Sequence, residues 1–248
     1  MSPVLRDWLV HGCLDLSHKG DEESLSQKIR ILVSEMYGGK KIGIRSWPQR
    51  GFRDTLWWYE KSEIPSTIST YFLKVDNQKS PNLLVGISVE KGYEDKELAQ
   101  KKAAEKKERI DRWLLSKRWD WHRFVSSLNQ VKPLIFSVAE TLKCELYLSV
   151  EFHAKKGGDS KYYVIKDNNL YWRGGFKPVK WEQLIQFVTK PHPPSSWGDV
   201  YFARVFNIND CTPQLDESKI INVFQAMKPI RDLWRGLVKT RGSLKNRF

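Results

Sequence analysis

Cysteine is scarce in this chain of 248 residues: Cys13, Cys144 and Cys211 are the only three. They lie far apart, and no two have the spacing of a metal knuckle or a redox pair. Neither a zinc module nor a disulfide framework is indicated. Long apolar runs are missing as well. Nowhere do about 18 apolar residues follow one another, the length a membrane-spanning helix needs. The opening MSPVLRDWLVHGCLDL meets Arg6 and Asp7 before an apolar run develops, unlike a secretory leader. The expectation is a cytoplasmic protein that does not engage a membrane. Catalytic signatures are equally sparse. The five histidines, His11, His18, His122, His153 and His192, never stand at H-E-x-x-H spacing. No serine occupies a G-x-S-x-G elbow, and no G-x-x-x-x-G-K-[ST] or strand-borne G-x-G-x-x-G loop occurs.

Acidic residues are also in short supply, 29 against 42 Lys+Arg, which leaves a formal net charge of +13. Such an excess attracts polyanions. What the chain does have is apolar and aromatic material, 40% and 12% with 11 Trp, too much for a disordered polymer. Its length suffices for a core without staples, in one large domain or two small ones.

Periodicity predicts helices over 3–14 and 21–37. In the second, Leu25, Ile29, Leu32 and Met36 share a face and Gly38-Gly39 supplies the stop. Strand character follows at 42–44, 56–59, 68–75 and 83–89, where Leu83, Val85, Ile87 and Val89 alternate. Residues 94–129 read as one long helix. Its front half is polar all round, and its back half gains the stripe Ile110, Trp113/Leu114, Trp121, Phe124/Val125 and Leu128. A further helix is placed near Pro133, a three-strand meander over 146–172, a helix at 181–188 and a strand at 200–208. Two last helices, 217–228 and 229–240, meet at Pro229. The predicted class is α+β, with mainly antiparallel sheet in two halves joined by the long charged helix, and helices at the C-terminus. The boundaries are 1–93, 94–130 and 131–248; a single continuous domain fits equally well.

Three stretches carry the candidate chemistry. In 152–181, Lys155, Lys156, Lys161, Arg173 and Lys177 interleave with Tyr162, Tyr163, Tyr171 and Trp172. Cations of this kind neutralise phosphates and aromatic faces stack on unpaired bases, although packing of the rings into a core explains them too. In the C-terminal stretch Arg231, Arg235 and Lys239 recur every four residues, on one helix face, and Arg241 follows. In GGKKIGIRSWPQRGFRD, Arg45, Arg50 and Arg53 stand among glycines, where arginine can reach base edges. The nearby Trp47, Trp57, Trp58 and Tyr59 could form a cage for a flipped base.

These features predict a non-catalytic protein that holds the backbone of DNA or RNA, without a cofactor. It could serve as one subunit, with protein partners, of a larger nucleoprotein machine such as an antiviral defence complex. Two alternatives remain open. A nuclease using Mg²⁺ could be built around Glu151, His153 and Lys155, which share a strand face, with Asp159 in the turn. A scaffold could dock its basic face on an acidic protein.

Overall fold

The computed structural model describes residues 25–49, 52–60, 70–76, 82–154, 158–207 and 217–236. Among these residues nine strands form one antiparallel sheet: β1 (Ile42–Gln49), β2 (Phe52–Glu60), β3 (Thr70–Asp76), β4 (Asn82–Glu90), β5 (Leu146–His153), β6 (Asp159–Lys166), β7 (Asn169–Trp172), β8 (Pro178–Val179) and β9 (Trp197–Asn207). Their order across the sheet is β1-β2-β3-β4-β9-β5-β6-β7-β8. The last strand in sequence therefore sits in the middle, between two consecutive hairpin series. It pairs Ile87 with Phe202 on one side and Leu148 with Phe202 on the other. Strands from both halves of the sequence thus share one sheet.

Among the described residues six helices accompany it: α1 (Leu25–Met36), α2 (Lys96–Lys106), α3 (Trp119–Ser126), α4 (Leu128–Leu142), α5 (Trp181–Thr189) and α6 (Glu217–Arg235). Alternate strand residues point to one face, because a strand has a period of two. On the first face Trp58, Tyr71, Val85, Phe202, Val150 and Tyr163 join Ile29 of α1, Phe124 of α3, Ile135 of α4, Leu184 of α5 and Phe224 of α6 in one apolar cluster. The intervening residues make a second, smaller cluster of strand side chains alone. It comprises Trp57, Phe72, Leu84, Tyr147 and Ala203, with Tyr162 and Tyr201 packed against it. Gly86 lies where β4 and β9 press together, and an added Cβ would run into the Phe202 carbonyl oxygen.

The long charged helix is broken. Asp95 caps α2 by accepting a hydrogen bond from the Leu98 amide (2.9 Å), and the helix ends where Lys107 turns left-handed at φ 53°. Two 3-10 turns follow before α3. The apolar stripe that suggested continuity is divided between two clusters. Ile110, Trp113 and Leu114 fold back on Ala99 and Ala103 of α2, whereas Trp121, Phe124 and Leu128 enter the main core. Pro133, expected near a helix start, and Pro229, expected at a junction, both lie inside helices, α4 and α6. Each removes one backbone donor, and the apolar faces on either side hold the axis together. The helix expected over 3–14 lies outside the described residues.

Candidate functional site

The meander β5-β6-β7 forms as the alternation predicted, and its far end gathers cations and rings. Tyr163 pairs with Trp172, and their rings stack at 4.7 Å. Lys161, two residues from Tyr163 and on the same face, places its ammonium 5.3 Å from the Trp172 ring centre. On the other face of β6, Tyr162 stacks with Tyr147 at 6.2 Å, and the Arg173 guanidinium lies 5.3 Å from the Tyr147 ring. Farther along, Lys166 sits 5.3 Å from Tyr171. Ser160, Lys161, Tyr162, Trp172 and Arg173 line an open crevice of about 370 Å³. Trp172 is 39% exposed, and Arg173 and Lys177 are exposed. Tyr162 and Tyr171 are half-buried.

Tyr163 occupies a different setting from the one the sequence suggested. It is fully buried in the main core, where burial pushes its hydroxyl up to about 12. Its ring backs Trp172 from inside. Lys155 and Lys156 lie outside the described residues.

The C-terminal cations are a correction. Arg231 and Arg235 share a face of α6, but that face points inward, leaving them 2% and 6% exposed. Arg235 donates to the Glu60 carboxylate of β2, which Lys40 also holds at 3.1 Å. Arg231 donates to the Tyr37 hydroxyl (2.6 Å) and lies 4.7 Å from the Tyr71 ring. Asp232 accepts from Tyr37 (3.1 Å) and pairs with Lys228. Burial would raise the Glu60 carboxyl, but the Arg235 hydrogen bond, assisted by Lys40 and Arg231, keeps it below its ordinary value. A four-residue spacing of arginines marks a helix face without revealing what it meets. Here the signal was an unmatched carboxylate, Glu60, inside an aromatic strand. Lys239, Arg241 and Arg50 lie outside the described residues. Arg45 and Arg53 have their backbones in β1 and β2, and their side chains fall outside the description. Trp57 and Trp58 point to opposite faces and are both buried, so they do not cage a base together.

Glu151 and His153 do come together, but with a carboxylate the sequence reading did not name. β9 pairs with β5 so that Glu151 faces Asp199 and His153 faces Trp197. The His153 ring nitrogen Nε2 lies 3.5 Å from both the Glu151 and the Asp199 carboxylates, and Trp197 donates to Asp199 at 3.1 Å. The Asp199 hydrogen bond raises the His153 pKa above its ordinary 6.5 against the opposing effect of burial. Asp159 pairs with Phe152 instead, on the opposite face, and is held by Lys190, which lowers its pKa. It therefore does not join Glu151. Among the described residues no group of three or more His, Cys, Asp or Glu side chains is arranged to hold a metal ion. Also among the described residues, no helix is long and apolar enough to cross a membrane.

Of the cationic residues named from sequence, the structure brings Lys161 and Arg173 to one crevice, leaves Lys177 exposed in the loop after Arg173, and sequesters Arg231 and Arg235. The two sets stand at opposite ends of the sheet. β2, which meets Arg235, and β6 are separated by five strand spacings, about 24 Å at ~4.8 Å each. Compared with protein-family models, curated proteins and solved structures, the chain matches none.

Proposed function

We propose that this chain is a non-catalytic nucleic-acid-binding protein whose contact surface is the β6–β7 end of the sheet. The observation that carries the proposal is the crevice lined by Lys161, Tyr162, Trp172 and Arg173, where the Lys161 ammonium stands beside the partly exposed Trp172 ring. Ammonium and guanidinium groups neutralise phosphates, and ring faces offer bases a stacking partner. The net charge of +13 favours approach by any polyanion and raises its local concentration. The buried arginines of α6 take no part, because their partners are Glu60 and Tyr37.

The test is anisotropy of labelled DNA and RNA oligonucleotides, single- and double-stranded, at several salt concentrations. A phosphate-driven complex weakens steeply with salt. Each neutralised phosphate contributes about 0.7 to the log–log slope for single strands and about 0.9 for duplexes. The triple variant Lys161→Ala/Arg173→Ala/Lys177→Ala is expected to lower that slope by about 2 units in a single strand. Wild-type protein that binds no probe at low salt removes the nucleic-acid reading. Probe cleavage with Mg²⁺ that is lost in Glu151→Ala would replace it with the nuclease. Retention of an acidic protein after nuclease treatment, with no probe binding, would replace it with the scaffold.

A further inference from the structure

We infer that the loop joining β7 to β8 carries the residue that selects unpaired bases, Phe176, so that the ligand is single-stranded nucleic acid. This rests on the function proposed above and goes beyond it in ligand class and residue.

The loop runs Trp172-Arg173-Gly174-Gly175-Phe176-Lys177. Its first four residues make a tight turn, in which the Gly175 amide donates to the Trp172 carbonyl at 2.8 Å. Gly174, third in the turn, adopts φ 77°, the value of a type II turn, which glycine adopts without strain. The Arg173 amide donates to the Tyr162 carbonyl at 2.9 Å, which anchors the turn to β6 beside the crevice. Immediately after the turn stands Phe176, 97% exposed. A fully exposed phenyl ring makes no contribution to the fold, whereas every other large apolar residue described retains at least part of its burial.

In sequence the ring stands between Arg173 and Lys177, both exposed, and Trp172, 39% exposed, opens the turn. Inside a duplex both faces of each base are covered by neighbouring bases, so two accessible rings gain little from it without unstacking a step. A single strand presents its base faces freely and its phosphates at the same spacing, which suits rings alternating with cations. An anionic membrane surface would also attract an exposed phenyl between cations. Its affinity grows with the apolar area inserted, however, and here only Phe176 and part of Trp172, whose ring is stacked on Tyr163, are accessible.

Three variants and three probes test this. Phe176→Ala removes the ring, Phe176→Trp keeps a stacking face, and both leave the core untouched. The probes are a single-stranded oligothymidylate containing 2-aminopurine, a duplex of equal length, and vesicles containing phosphatidylserine. Phe176→Ala is expected to weaken single-strand binding about tenfold with an unchanged salt slope, within the roughly 5- to 150-fold range of one stacked base. Duplex binding should change less than about twofold, and Phe176→Trp should retain single-strand affinity and 2-aminopurine quenching. Gly174→Ala, which strains the turn while an added Cβ meets open space, should reduce quenching as well. Equal single-strand affinity for wild type and Phe176→Ala overturns the role of Phe176 and leaves the proposed function standing. Absence of any oligonucleotide binding by the wild type overturns both. Binding to vesicles alone, abolished in Phe176→Ala, assigns the loop to a membrane and overturns this inference.

Discussion

Removing the Glu60 carboxylate would take from the buried Arg235 the acceptor it meets on β2, and from the buried Arg231 a neighbouring carboxylate. Glu60 is the acceptor for Arg235 and for Lys40, and Arg231 stands 3.8 Å away. Breaking a buried ion pair by deleting one partner costs about 3–5 kcal/mol, since the remaining charge keeps its desolvation penalty without its compensation. For a chain of this size each kcal/mol moves Tm by about 2–4 °C, so Glu60→Ala should lower Tm by about 6–20 °C. Replacing the pair together, Glu60→Met/Arg235→Met, should cost distinctly less than the sum of the single changes, because both desolvation penalties disappear. Differential scanning calorimetry on wild type, Glu60→Met, Arg235→Met and the double variant closes the cycle. The pH dependence follows from the direction of the shift. The folded carboxyl lies below its ordinary 4.5, so its stabilisation is complete above that pH and is lost as the pH falls through the folded value. Glu60→Gln should accordingly flatten the stability profile below about pH 4.5. A Tm loss under about 2 °C for Glu60→Ala, or additive single changes, would refute the buried-network account.

Three further outcomes follow. Arg235→Ala should destabilise the fold strongly while leaving the salt slope of oligonucleotide binding unchanged; a slope reduced by a unit would return α6 to the interface. His153 should titrate above 6.5 in an NMR pH series and His192, half-buried and stacked on Phe152, below it. Asp199→Asn should bring His153 down, and because the folded His153 pKa is raised, its contribution to stability is complete below pH 6.5 and fades as pH rises through the folded value. Gly86→Ala forces a Cβ against the Phe202 carbonyl in the centre of the sheet and should cost more than about 4 kcal/mol, read as insoluble or thermally unstable protein.

The meander was legible because β5 and β6 each have one face in the core and one in a more polar setting, which prints alternation on the sequence. The insertion of β9 between β4 and β5 was not legible, since strand order depends on which edges meet and no residue pattern encodes that locally. Continuity of 94–129 was misread for a definite reason. Ile110, Trp113 and Leu114 keep helical spacing by chance, while Lys107 turns left-handed and sends them to the Ala99 and Ala103 face. The prolines misled in the opposite direction, because packing along α4 and α6 outweighs one lost hydrogen bond. At the site, Lys161, Trp172 and Arg173 were visible as a basic and aromatic mixture. Their separation from Arg231 and Arg235 was invisible, because burial of an arginine depends on a carboxylate about 170 residues away in sequence. Asp199 joined Glu151 and His153 through the same unread register.

The most direct test of where a polyanion sits is photocrosslinking of a 5-iodouracil oligonucleotide followed by peptide mapping. Adducts should concentrate between Ser160 and Lys177, on Trp172 and Phe176 above all. Adducts confined to the α6 peptide around Arg231 and Arg235, with none between Ser160 and Lys177, would contradict the β6–β7 surface outright.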